Sequence, residues 1–62
     1  MTAAVFVRAV NAADYIRIRV NTDGACWLPV EKEQALLWRD KIEGGIPVNF
    51  ETGEGGRWLW IG

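Results

Sequence analysis

Hydrophobic and polar positions follow two different periods in this chain, and each period marks an element. Over residues 29–43 (PVEKEQALLWRDKIE), steps of 100° gather Val30, Ala35, Leu37, Trp38 and Ile42 into one arc and set Lys32, Glu33, Arg39, Asp40 and Glu43 opposite. The spacing predicts a single amphipathic helix. Pro29 suits its first turn, where a missing N–H costs nothing. Glu31 and Glu33 lie at the positive end of the helix dipole, and Gly44-Gly45 supplies the stop. Trp27 or Leu28, just ahead, reads as a staple onto the first turns.

Residues 15–20 alternate polar with aliphatic side chains, the period of a half-buried strand. Residues 4–10 (AVFVRAV) are dense in β-branched side chains and also read as a strand. With 11–14 as the connecting loop, the two form a hairpin in which Arg8 opposes Arg17 and Phe6 opposes Arg19. Val5, Val7, Ala9, Ile16, Ile18 and Val20 then share an apolar face, and Phe6, Arg8, Tyr15, Arg17 and Arg19 share the other. Asn21-Thr22-Asp23-Gly24 is a cluster of turn formers.

Residues 46–51 alternate again, with Pro47 pointing to an edge position, and 57–61 complete a second hairpin. Two registers compete there. A loop over 52–56 sets Glu51 against Arg57 and puts Val48, Phe50, Trp58 and Trp60 together in the core. A loop over 53–56 sets Phe50 and Val48 against Leu59 and Ile61, and both tryptophans emerge on the outer face. The Glu51–Arg57 match favours the first. Volume opposes it, because Trp38, Phe50, Trp58 and Trp60 overfill what one short helix covers; at least one Trp should reach a partner or a second subunit. The order strand, strand, helix, strand, strand predicts one α+β domain over 1–62, two antiparallel hairpins packed on one helix.

Composition narrows the function classes. A domain of 62 residues buries only about 60% of its unfolded surface. Half its residues are apolar and four are Trp, so it should nonetheless fold, with help from a partner or a second copy. Its apolar runs are too short for a membrane span or a signal-peptide core, which suggests a cytoplasmic protein without a membrane partner. One cysteine, Cys26, excludes an internal disulfide. With no histidine, a zinc site has no plausible ligand set, and with no serine either, the usual nucleophile pairs cannot be assembled. No catalytic residue, metal or cofactor is expected. The net charge of −1 is uneven: residues 1–20 carry three arginines against one aspartate, and residues 21–62 carry four cations against seven acids.

Among candidate constellations, Gly53-Glu54-Gly55-Gly56 lacks the context of a phosphate loop, because it leads into a strand and carries a carboxylate. Cys26 reads as a small buried hydrophobe. Glu31, Glu33, Asp40 and Glu43 read as the solvated face of the helix. The arginines carry more, since Arg8 opposite Arg17 is destabilising unless a carboxylate, solvent or an acidic partner offsets it. With aromatics on the same surface, the composition is that of a binding hot spot. The expected function is a small non-catalytic interaction module, an inhibitor or adaptor such as the accessory proteins of phages. It would dock on another protein through Phe6, Arg8, Tyr15, Arg17, Arg19, Trp58 and Trp60, with a homodimer as a further expectation. The rival is a single-stranded nucleic-acid module that stacks bases on Trp and Tyr and meets phosphates with Arg, disfavoured by the overall charge.

Overall fold

Thr2 is extended, and its Oγ1 accepts a hydrogen bond from the Val5 N–H at 3.3 Å, which opens a helix. From there Phe6, Val10 and Ala13 recur at steps of four and three and are all buried. This helix, α1 (Ala3–Ala12), replaces the strand expected over 4–10. Strand propensity reflects fit to a half-buried surface more than a backbone preference. Here the alanines and the four-residue stripe, buried against other helices, prevail over the β-branched content. The hairpin of Arg8 with Arg17 therefore does not exist, and Phe6 belongs to the core.

The computed structural model describes residues 1–19 and 26–62. After α1 come β1 (Tyr15–Ile18), β2 (Leu28–Pro29), α2 (Lys32–Leu36), α3 (Arg39–Glu43), β3 (Val48–Gly53) and β4 (Gly56–Ile61). The α+β class holds. Val20 and the turn expected at 21–24 lie outside the described residues.

The helix expected over 29–43 is two short ones. Pro29 ends β2 opposite Arg17 instead of starting the helix, and Leu28 pairs with Ile18 instead of stapling it. The Glu31 N–H donates to Gln34 Oε1 at 3.3 Å, which sets the start of α2. At Leu37–Trp38 the ladder tightens: the Leu37 N–H reaches the Gln34 carbonyl and the Trp38 N–H the Ala35 carbonyl, each three residues back. That turn rotates the apolar arc. Ala35 and Ile42 stay buried, while Leu37, expected inside, is 82% exposed. Trp38 is half-buried against the core, with Lys41 Nζ 4.4 Å from its ring centroid. Gly45, at φ 107°, ends α3: its N–H donates to the Ile42 carbonyl and that of Ile46 to the Lys41 carbonyl, a Schellman stop where only glycine is unstrained. Glu31, Glu33, Asp40 and Glu43 are exposed as expected.

The four strands form one mixed sheet in the order β2-β1-β4-β3. Both edges are antiparallel, and the central pair, β1 with β4, is parallel. Asp14 fastens that pair at its start. Its N–H donates to the Arg57 carbonyl at 2.8 Å, and its Oδ2 accepts from the Arg57 N–H at 2.9 Å. Gly56 makes room for this lock: it has φ 121°, and a Cβ there would stand 2.7 Å from Asp14 Oδ2. At the far end the Arg19 N–H donates to the Ile61 carbonyl at 2.9 Å.

One face of the sheet carries Ile16, Ile18, Leu59 and Ile61, and these cluster with Phe6, Val10, Ala13, Ala35 and Ile42 from the helices. The result is two layers, 29 × 28 × 17 Å, with α1 against α2, α3 and β4. None of the described helices is long and apolar enough to cross a membrane.

Candidate functional site

The second hairpin adopts the register in which Val48 opposes Ile61, Phe50 opposes Leu59 and Thr52 opposes Arg57. The favoured alternative, with Glu51 against Arg57 and both tryptophans in the core, is overturned. Glu51 stands opposite Trp58 and Asn49 opposite Trp60. Volume decides: the helical layer has room for Leu59 and Ile61, which are fully buried, and strand alternation then sends Trp58 and Trp60 outward.

The parallel pairing sets Tyr15 beside Trp58 and Arg17 beside Trp60, all on the face away from the helices. Tyr15 and Trp58 stack with centroids 4.5 Å apart at 28°, and Trp58 and Trp60 stack at 5.5 Å and 11°. Trp27, just before β2, meets Trp60 edge to face at 5.1 Å. These contacts make one continuous aromatic ladder across the sheet. Arg17 lies over Trp58 with its guanidinium carbon 5.0 Å from the centroid, and its Nη1 donates to the Ile16 carbonyl at 3.1 Å. Arg19 lies over Trp27 at 4.9 Å. Such cation–π contacts hold long side chains in place.

Charge divides the face. The arginines stand on the β1 side, and Glu51 stands on β3, where its Oε1 accepts from Asn49 Nδ2 at 3.2 Å. Between them lies a cleft of about 400 Å³ lined by Trp27, Pro47, Asn49, Glu51 and Trp60, among others. The Trp60 indole Nε1 is buried and has no hydrogen-bond partner among the described residues. A surface of stiff aromatic rings, anchored guanidiniums and one carboxylate can exclude water and discriminate charge.

Of the residues expected from the sequence, Tyr15, Arg17, Arg19, Trp58 and Trp60 come together on this face. Phe6 is fully buried, and Arg8 is exposed on α1, in the opposite layer. Both were misplaced because residues 3–12 turn every 3.6 residues and not every two. Trp27, Asn49 and Glu51 belong to the face and were missed. Trp27 joins it only through the pairing of β2 with β1, whereas Asn49 and Glu51 follow from the register once it is known. Cys26, expected inside, is exposed. Comparison with protein-family models, with curated proteins and with solved structures finds no match to this chain.

Proposed function

We propose that this domain is a non-catalytic protein-interaction module of the inhibitor or adaptor kind, docking on another protein through the outer face of its sheet. The observation that supports it most is the ladder of Tyr15, Trp58, Trp60 and Trp27 with Arg17 and Arg19 laid over it, on a face that no described helix covers. Aromatic and arginine side chains dominate binding hot spots because they bury much area for few rotatable bonds. Here the stacking has already restricted those bonds.

The same stacking disfavours the nucleic-acid alternative. Base stacking needs a free ring face, as on the sheets of single-strand binders. Trp58 has Tyr15 on one flank and Trp60 on another, with Arg17 above, so its faces are taken. Glu51 beside it and a net charge of −1 further repel a polyanion.

The test compares baits in a pull-down from the native host. A species held by the wild type and by Arg8→Glu, and lost with Trp58→Ala and with Arg17→Glu, is the expected result. A species indifferent to both outer-face variants would overturn the reading. Micromolar binding of a mixed-sequence single-stranded oligonucleotide at physiological salt, with tryptophan quenching, would replace it by the nucleic-acid alternative.

A further inference from the structure

The two edges of the sheet differ in kind. β2 is two residues long and ends in Pro29, whereas β3 runs for six, from Val48 to Gly53, with no proline or lysine inside it. Pro47 precedes it. The Gly62 N–H donates to the Pro47 carbonyl at 2.9 Å, and Pro47–Gly62 continues the ladder register one step. Antiparallel ladders alternate, so Asn49, Glu51 and Gly53 turn their backbone groups toward β4, while those of Val48, Phe50 and Thr52 point away from the sheet. Among the described residues these donors and acceptors have no partner, a row of the kind that edge strands usually guard. Phe50 marks the same edge. Its neighbour Leu59 is 0% exposed, but Phe50, on the same face, is 37% exposed, although Val48 of the same strand packs against the core.

We propose that two copies of the chain pair antiparallel along β3, about a two-fold axis at Phe50, into one eight-stranded sheet. Charge and shape select this occupant and this register. The axis sets Phe50 against Phe50 of the second copy, where each covers the other's exposed ring, and Val48 against Thr52. It also sets Asn49 opposite the second copy's Glu51, twice, so the one carboxylate of the strand meets a carboxamide donor and not its own kind. Centring the axis on Glu51 would oppose two carboxylates. Centring it on Thr52 would face Phe50 with Glu54. A seam of about five residues lies at the small end of specific interfaces, so association at roughly 10–100 µM is expected.

The axis stands perpendicular to the sheet, so both aromatic ladders lie on one side. On the docking function proposed above, the dimer would be bivalent and gain avidity for a repeated or dimeric partner. The pairing itself does not depend on that function.

Sedimentation equilibrium of the full chain from about 1 µM to about 1 mM tests the seam. The expected result is a reversible monomer–dimer equilibrium. Asn49→Glu, which opposes two carboxylates across the seam, should raise the midpoint about tenfold, and Asn49→Lys should lower it. Thr52→Pro, which removes an N–H pointing away from β4, should raise it further, and circular dichroism checks that the monomer remains folded. A chain that stays monomeric throughout overturns the proposal. So does a dimer whose midpoint ignores Asn49→Glu and moves with Trp58→Ala, which would place the second copy on the outer face.

Discussion

On one face of β4, Leu59 and Ile61 are fully buried beneath the helices; on the other, Trp58 and Trp60 stay half-buried with no described helix above them. All four are large and apolar, and they differ by a single step along the strand. The first pair is removed from water by other elements. The second shelters itself, through stacking with Tyr15, contact with Trp27 and the cover of Arg17 and Arg19. A chain of 62 residues has enough helix for one side of a sheet. Its second apolar face must be made of side chains that tolerate partial exposure, and these aromatic rings do so by stacking on one another and taking guanidinium groups over their faces.

The sharpest way to break this comparison is to truncate one residue on each face. Leu59→Ala should cost about 3–4 kcal/mol in urea unfolding, a large part of the stability of a domain this small. Trp58→Ala should cost about 1 kcal/mol, the scale of a cross-strand aromatic pair, although it removes the larger side chain. Equal losses would mean that the outer ladder is a second core. Between these two lies Gly56→Ala, at about 2 kcal/mol, because the new methyl group must accept φ 121° and displace Asp14 from Arg57. A wild-type melting temperature for that variant would show that the parallel pair is held by packing and not by the Asp14 lock.

Smaller effects sharpen the contrast. Arg17→Glu should change stability by less than about 1 kcal/mol, since its partners are a ring face and one part-buried carbonyl, while weakening the captured complex several-fold. Arg8→Glu, on the far layer, should leave both unchanged. If Arg8→Glu weakened capture as much as Arg17→Glu, the docking surface would lie on the helices.

Much of the outer face could be read from the chain. The unbroken alternation of Tyr15, Ile16, Arg17 and Ile18 fixes which two residues share a face, and Trp58-Leu59-Trp60-Ile61 does the same. Each strand nevertheless has two faces, and its own residues do not say which one a helix will cover. In β4 both choices bury apolar side chains, so the local pattern was balanced, and the Glu51–Arg57 match tipped it the wrong way. The volume excess of the tryptophans pointed correctly, because packing density is a property of the whole core. Residues 3–12 failed for a related reason. Their β-branched content suits a strand in isolation, and only burial of Phe6, Val10 and Ala13 against α2, α3 and β4 rewards the helical spacing.

Local chemistry set the α+β class, the glycine stop after residue 43, the solvated carboxylates of the helical segment and the alternation within β1 and β4, because each rests on contacts a few residues apart. The parallel pairing of β1 with β4, the break at Leu37–Trp38, the inward turn of Phe6 and the gathering of Trp27 with Tyr15, Trp58 and Trp60 were decided by the folded chain. These depend on segments far apart in the chain, up to 43 residues for Asp14 and Arg57, competing for one layer of helix, and no short stretch of sequence records the outcome of that competition.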